Sequence, residues 1–242
     1  MKVLLPCAVC FHENGWPDMS LSILNLNDEG YYTIVCQNGH QTNTIIWQPK
    51  YELLFELGMN AIADGYLREG VTAFASSLER FRETCFRFIL HLADVDHSFV
   101  DESWKRNFVR WSERQYGGFH AVWLVTIKGA PKTITPKQTE LRNKVVHQGY
   151  IPTLAETKSY GEAAAHEIEE NFRTLVATYG SKVDEFLRHE FSGRAMMKNV
   201  DISTLSIPTI IGTRLQSQNS IEFDDWIEKI RKDRVIFDWP KP

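Results

Sequence analysis

The spacing of hydrophobic and polar positions changes at about residue 50. Before that point apolar and polar residues alternate in short runs such as 21-LSILNLN-27 and 30-GYYTIVC-36. Alternation with a period of two is typical of β-strands, and the Asn-Asp-Glu-Gly stretch between the two runs predicts a short hairpin. After residue 50 apolar residues recur at steps of three and four, which predicts helices.

The helical region divides into segments whose ends are marked by glycine, proline and capping residues. Residues 51–93 are expected to form two helices or one bent helix, and residues 98–118 a helix that ends at a glycine pair. Further helices are expected over residues 154–179 and 181–198. The tail mixes β-prone residues with one short amphipathic helix near residues 223–232.

One helix start carries a complete set of local signals. Thr135 can cap the helix, Pro136 suits its first position, and Gln138 stands three residues after the cap. Gly149 then provides a left-handed stop. A helix is therefore expected from Pro136 to Gln148.

The change of period predicts three parts in the chain. A small β-domain occupies residues 1–48, a helical bundle residues 49–198, and a mixed C-terminal extension residues 199–242. The expected fold class is mainly α, since 242 residues suffice for one ordinary core with a small attachment. The extension is expected to pack on the bundle or on a partner.

The composition of the chain is typical of one class of protein, the soluble globular proteins. Hydrophobic residues make up 43% and charged residues 24%, as in soluble globular proteins. No apolar run approaches the roughly 20 residues that cross a bilayer. The first residues, MKVLLPC, have a proline and a cysteine where a secretory signal would continue its apolar stretch. We therefore expect a cytoplasmic protein without membrane association. With a formal net charge of −4, any nucleic-acid site must be a local basic patch.

Three of the four cysteines lie in the predicted β-domain. Cys7 and Cys10 form a C-x2-C pair, and Cys36 is followed four residues later by His40. In a reducing compartment such a cluster is more typical of metal ligands than of disulfides. So small a β-domain has almost no hydrophobic core and needs a bound metal or a similar cross-link for stability. We expect a zinc-ribbon-like domain in which these four residues bind a structural Zn²⁺ ion, with Gly39 allowing the tight turn before the histidine.

Two alternatives for this cluster stay open. His12 could replace His40 as the fourth ligand, because the C-x25-C-x3-H spacing departs from the usual pair of C-x2-C knuckles. A reduced C-x2-C loop without metal is the other alternative. Four protein ligands close a tetrahedral shell, so the ion is expected to play no part in catalysis. The fourth cysteine, Cys85, falls in an apolar helical stripe and is expected to be a core residue.

The predicted helix over residues 136–148 carries three polar residues of chemical interest. Asn143 and His147 share a face, whereas Arg142 lies about 140° around from His147, so no tight intrahelical pair of the latter two is expected. Arginine binds phosphate oxygens and histidine transfers protons near neutral pH. Together they suffice for RNA cleavage without a metal, and Asn143 could orient one of them. The same spacing is also expected of ordinary polar residues on a solvated helix face.

The run 142-RNKVVHQGYIPT-153, with 66-YLREGV-71 and 77-SLERF-81 upstream, resembles the HEPN superfamily (higher eukaryotes and prokaryotes nucleotide-binding domain). Its ribonuclease members carry an R-x4–6-H motif, and the resemblance covers residues 50–198. It implies a helical bundle that forms a homodimer, in which two copies of the motif build one composite site without a catalytic metal.

The resemblance also implies residue roles and a function. Arg142, Asn143 and His147 become the catalytic set, and Glu79 a supporting group, unless it is merely a solvent-facing partner of neighbouring charges. The implied protein is an endoribonuclease of toxin–antitoxin or phage-defence systems, with RNA as substrate and an antitoxin or defence protein as partner. Its products would be 2′,3′-cyclic phosphate and 5′-hydroxyl ends. The alternative is a non-catalytic adaptor that binds a protein or nucleotide.

Overall fold

Most of the chain is helical in the computed structural model. The structure describes residues 1–15, 20–196, 203–216 and 221–236. Within these residues it has ten helices and five short strands, which confirms the mainly α class with a small N-terminal antiparallel sheet. No helix of the described part is long and apolar enough to cross a membrane.

The chain divides into two units, each with contributions from distant parts of the sequence. Unit 1 comprises Met1–Gln48, Leu187–Pro208 and Lys232–Pro242. Unit 2 comprises Pro49–Phe186 and Thr209–Arg231. Residues of the predicted C-terminal extension therefore belong to both units.

Unit 1 contains the strands. Its elements are β1 (Lys2–Pro6), α1 (Ala8–Asn14), β2 (Leu21–Asn25), β3 (Tyr31–Val35), β4 (Gln41–Ile46) and β5 (Ser203–Leu205). Strands β1 and β2 form an antiparallel pair. Strand β4 lies between β3, to which it is antiparallel, and β5, to which it is parallel.

The predicted hairpin between residues 21–27 and 30–36 is wrong, because these two runs pair with other strands. Strand β2 pairs with β1. The alternating pattern of β1 is short, because only Val3 and Leu5 are buried apolar residues in it. In the turn, the Asn27 side chain accepts a hydrogen bond from the backbone N–H of Gly30 at 2.7 Å and donates to the carbonyl of Tyr31 at 3.0 Å. Backbone groups that a hairpin ladder would use are thereby bonded to a side chain.

Unit 2 is a bundle built around one long helix. The remaining helices are α2 (Lys50–Ala63), α3 (Leu67–Leu92), α4 (His97–Asn107), α5 (Ser112–Ile127), α6 (Pro136–Gln148), α7 (Leu154–Tyr179), α8 (Ser181–Met196), α9 (Ile210–Gln216) and α10 (Phe223–Ile236). The C-terminal residues of α8, from Leu187, and of α10, from Lys232, belong to unit 1. Helix α3 packs against α2, α5 and α7. Its apolar stripe is buried, including Phe74, Phe81 and Cys85, so the prediction of Cys85 as a core residue is confirmed.

The predicted helix over residues 98–118 is wrong at its C-terminal end. Helix α4 stops at Asn107, and α5 runs through the glycine pair instead of ending there. A Cβ atom at Gly118 would lie 2.8 Å from the ring of Phe108. The glycine therefore permits close packing of that ring against α5, which is a tertiary role and not a helix stop.

A buried ion pair joins α3 to α7. Arg82 donates from Nε to Glu167 Oε1 at 2.7 Å and from Nη2 to Oε2 at 2.9 Å. Glu167 Oε2 also accepts from the backbone N–H of Ile134 at 2.8 Å. One turn later, the Asn171 side chain bonds both the N–H and the carbonyl of Lys132 at 2.9 Å. These contacts fix the segment that leads into α6.

Two buried glutamates of α2 attach the C-terminal helices of unit 2. Glu52 accepts from the Thr209 hydroxyl at 2.6 Å. Glu56 accepts from Trp226 Nε1 at 3.0 Å and from the backbone N–H of Ile210 at 3.2 Å. Burial raises the pKa of both carboxyls, and that of Glu56 to about 7.

Replacing Arg82 with methionine should strongly destabilise the protein, because Glu167 would remain buried without its cation. We expect the free energy of unfolding to fall by about 3–5 kcal/mol, measured by urea denaturation. Arg68→Met is the matched control, since the Arg68 side chain is 42% exposed and 3.8 Å from Glu69; its effect should be below about 1 kcal/mol. Equal losses in the two variants would contradict a special role of the buried pair.

The raised pKa of Glu56 should make stability depend on pH. The folded protein binds this proton more tightly than the unfolded chain, so the free energy of unfolding should decrease as pH rises from 4.5 to about 7 and then level off. The contribution is about 3 kcal/mol at most. Urea denaturation across this range should show a shallower decrease for Glu56→Gln than for Glu102→Gln, a change at an exposed carboxyl. Parallel curves for the two variants would contradict the assignment.

Candidate functional site

Helix α6 begins and ends at the predicted residues. Thr135 and Gln138 form a capping box, in which the Thr135 N–H donates to Gln138 Oε1 at 2.7 Å and the Gln138 N–H donates to Thr135 Oγ1 at 3.4 Å. Gly149 ends the helix with φ of 73°. Val145 is its one buried side chain, so α6 is a surface helix with most of its circumference in water.

Arg142 is the centre of the polar cluster on α6. Its Nη1 donates to Asn143 Oδ1 at 3.0 Å and lies 3.2 Å from His147 Nε2. Its Nη2 donates to Glu79 Oε1, on α3, at 2.8 Å. The expectation that Arg142 and His147 would not form a tight intrahelical pair is therefore wrong, because the long arginine side chain folds along the helix toward the histidine.

The contact between Arg142 and His147 selects one form of the imidazole. A guanidinium group only donates hydrogen bonds, so His147 Nε2 must accept. A ring nitrogen that accepts carries no proton, so a hydrogen bond at this contact places the ring proton on Nδ1. Once Nε2 is released from Arg142, it can take a proton from a hydroxyl group, and the cation can stabilise negative charge that forms next to it.

Glu79 restrains the guanidinium from the side of α3. Its side chain is 25% exposed and that of Arg142 18% exposed, so the ion pair is half-buried at the helix junction. One nitrogen of the fork is held by Glu79 and the other faces His147. Glu79 therefore limits rotation of Arg142 and keeps its second nitrogen directed toward the histidine.

A groove of about 510 Å³ lies beside α6 and is lined by residues of α6, α7 and their connection. Its charged lining residues include Lys144, whose Nζ bonds Glu140 at 2.7 Å, and Glu156, which accepts from the Tyr150 hydroxyl at 3.1 Å. With Lys137 the groove has two cations and two carboxylates. It offers donors and acceptors but no excess of positive charge.

The four predicted ligands of unit 1 converge. The ligand atoms of Cys7, Cys10, Cys36 and His40 all lie within 4.8 Å of one another. Cys10 Sγ is 3.7 Å from Cys36 Sγ and 3.3 Å from His40 Nδ1, and Cys7 Sγ is 4.0 Å from the same nitrogen. Gly39, with φ of 81°, makes the tight turn before the histidine, as expected.

These separations fit a tetrahedral metal ion. Metal–sulfur bonds of about 2.3 Å put two thiolates about 3.8 Å apart, and a thiolate and an imidazole nitrogen about 3.5 Å apart. The observed sulfur–sulfur distance of 3.7 Å is close to the first value, and the two sulfur–nitrogen distances of 3.3 and 4.0 Å lie on either side of the second. All four cysteines of the chain are free thiols. The cluster could therefore hold a metal ion, whereas His12, the alternative ligand, is exposed and outside it.

The surroundings of the cluster favour the thiolate form of Cys36. Burial raises the pKa of this thiol, but hydrogen bonds to the backbone of His40 and Asn38 and to neighbouring thiols outweigh the burial and lower the pKa to about 7. Asn38 is not predicted from the sequence as part of the cluster. Its Nδ2 donates to Cys10 Sγ at 3.4 Å, and its position between Cys36 and His40 is the only sequence signal for this contact.

No protein-family model matches the chain, and no curated protein and no solved structure matches it. Fold and site together define a mainly helical protein with a Cys₃His cluster in unit 1 and an exposed Arg–His pair in unit 2.

The cluster should bind Co²⁺ in a tetrahedral thiolate environment, with intense visible absorption and sulfur-to-cobalt charge-transfer bands. Cys10→Ser removes one of the thiolates, so both signals should weaken at equal Co²⁺ concentration. Cys85→Ser is the matched control, because this thiol is buried in the core of unit 2. The prediction fails if Cys10→Ser keeps the wild-type spectrum and affinity.

Proposed function

We propose that the protein is a metal-independent endoribonuclease of HEPN type. The observation that supports this function most directly is the 3.2 Å contact between Arg142 Nη1 and His147 Nε2 on an exposed helix. It combines a permanent cation, which can stabilise charge on the phosphate, with an imidazole, which can transfer a proton.

In the proposed reaction, Arg142 Nη1 turns from His147 to the phosphate, and the lone pair that this frees on His147 Nε2 removes the proton of a ribose 2′-hydroxyl. The 2′-oxygen attacks the adjacent phosphorus, the bond to the 5′-oxygen breaks, and the leaving oxygen takes up a proton. Contacts within the described residues use three of the five N–H groups of Arg142, so Nε and one Nη2 hydrogen are available to phosphate oxygens. The products are a 2′,3′-cyclic phosphate and a 5′-hydroxyl.

The proposal includes a homodimer. Cleavage needs one group that accepts the 2′ proton and a second that supplies a proton to the 5′-oxygen. A second copy of α6 would bring another His147, which in its protonated form would supply this proton, and the exposure of the motif leaves it accessible to such a copy. Light scattering should then give a mass of twice 28.0 kDa.

We further propose that the Cys₃His cluster binds structural Zn²⁺ and that RNA cleavage serves a toxin–antitoxin or phage-defence system with a protein partner. Zinc suits this ligand set because it prefers tetrahedral thiolate and imidazole coordination. Four protein ligands leave no coordination position for a substrate.

Arg142→Ala and His147→Ala should each reduce cleavage of a fluorophore–quencher RNA by about 100-fold or more, since each removes a group that acts in the transition state. Mass spectrometry should identify the product as a cyclic phosphate, and cleavage should persist in EDTA during an assay of minutes. His166→Ala, which removes an exposed histidine of α7, is the matched control and should leave the rate unchanged.

Full cleavage by both variants, or products with 3′-hydroxyl ends, would rule out the proposed reaction. A pure, folded wild-type protein that cleaves no RNA but retains a specific protein or nucleotide partner would instead support the non-catalytic adaptor.

A further inference from the structure

The turn between α4 and α5 combines basic side chains with an indole. We call it the basic–aromatic turn and define it as residues 105–114. Its exposed residues include Lys105, Arg106, Arg110, Trp111 and Arg114. Four basic residues face one acidic residue, Glu113, in a chain whose net charge is −4. The charge of this segment is therefore opposite to that of the whole protein.

Trp111 places a large aromatic surface in water. Its side chain is 53% exposed, whereas Trp104, in the preceding helix, is 3% exposed. The guanidinium carbon of Arg114 lies 5.1 Å from the centre of the Trp111 ring, over one of its faces. The cation is attracted to that face of the ring, and a tryptophan this exposed is available for stacking.

The cations of the turn are not neutralised within the described part of the chain. Lys105 and Arg110 form no ion pair with any described residue. The Arg106 guanidinium lies 3.8 Å from Glu102, and both side chains are mostly exposed, so water screens this pair. Positive charge in the turn is therefore available to phosphate groups.

The turn is held in place from beneath by a buried glutamine. Gln115 is 2% exposed, and its Nε2 donates to the carbonyls of Phe108 at 3.0 Å and Val109 at 3.3 Å. Its Oε1 accepts from Arg80 Nη2, on α3, at 3.0 Å. Because the backbone is already ordered, binding a ligand here costs little loop entropy.

Neighbouring residues of α3 support this turn and the candidate catalytic site. Arg80 holds Gln115, and Glu79, the residue before it, holds Arg142. Consecutive side chains of a helix diverge by about 100°, so Glu79 and Arg80 make their two contacts on adjacent sides of the same helical turn. One extended ligand could thus reach both surfaces.

We propose that the basic–aromatic turn binds single-stranded RNA, with one base stacked on the open face of Trp111 and adjacent phosphates bound by Arg110 and Arg114. An exposed ring flanked by cations is the combination that binds unpaired nucleotides without sequence preference. Duplex RNA conceals its base faces and cannot stack in this way. The inference rests on the proposed function, since it names the surface that retains the substrate.

Binding can be measured separately from cleavage with a fluorescein-labelled, 2′-O-methylated oligouridylate of about 12 nucleotides, which lacks the nucleophilic hydroxyl. Fluorescence anisotropy with the full-length protein should show about tenfold weaker binding for Trp111→Ala. Trp111→Phe should recover most of the affinity because it keeps a ring. Phe99→Ala, which removes an aromatic side chain that is 69% exposed on α4, should bind like the wild type.

A charge-reversal pair tests the phosphate contacts. Arg110→Glu should weaken binding and reduce the slope of log affinity against log salt by about 1. Lys182→Glu, at an exposed position of α8, changes the net charge equally and should have neither effect. Equal binding by Arg110→Glu and Lys182→Glu, or by Trp111→Ala and Phe99→Ala, would overturn the proposal. So would an equal loss of duplex RNA binding in Trp111→Ala.

Failure of this proposal is distinguishable from failure of the nuclease. A dinucleotide substrate occupies only the cleavage site, so Trp111→Ala should slow cleavage of long RNA but not of a dinucleotide, whereas His147→Ala should abolish both. If the wild type cleaves no RNA but loses oligonucleotide affinity on Trp111→Ala, the turn is supported and the nuclease is rejected. If cleavage depends on His147 while Trp111→Ala leaves binding intact, the reverse holds.

Discussion

The position of α6 depends on the buried pair of Arg82 and Glu167. Helix α6 buries only Val145, so its own apolar face contributes little to its placement. The segment before it is instead fixed by the Glu167 contact to the Ile134 N–H and by the Asn171 bonds to Lys132. Removing two charges from water is costly, and the bidentate contact and this additional N–H donor offset that cost. An electrostatic contact between α3 and α7 thus fixes the position in space of the segment that leads into an exposed helix.

Local signals predicted α6 well, but they could not predict the contacts of its side chains. Thr135, Pro136, Gln138 and Gly149 act within a few residues of themselves, so the bounds of the helix follow from sequence. Helical periodicity, by contrast, predicts the direction in which the Arg142 side chain leaves the helix but not the position of its guanidinium group. The bond to Glu79, 63 positions earlier in the chain, holds the guanidinium near the histidine, and no local pattern contains that information. The role of Gly118, which permits close packing of the Phe108 ring, could not be predicted from sequence for the same reason.

Unit 1 shows the same limit for strands. The cluster of three cysteines and His40 could be predicted because thiols at C-x2-C spacing, followed by a third cysteine and a histidine, are typical of a metal site. Strand pairing could not, since β4 pairs with β5 more than 150 positions away, and the Gln48 side chain bonds both the N–H and the carbonyl of Ile207 at 2.9 Å. Residues 203–208 are too few to have a readable period, and their conformation is set by a partner from the other end of the chain.

The charge balance around Arg142 bears on the proposal that the protein has two RNA-contacting surfaces. Glu79 compensates the guanidinium, so this ion pair carries no net charge, and the adjacent groove is balanced as well. Such a site can stabilise charge that forms during a reaction, but it attracts a polyanion weakly, in a chain with a net charge of −4. Attraction at a distance must then come from uncompensated cations elsewhere. The basic–aromatic turn has such cations on the neighbouring side of α3, so under the proposed function it would retain RNA without disturbing the orientation of Arg142.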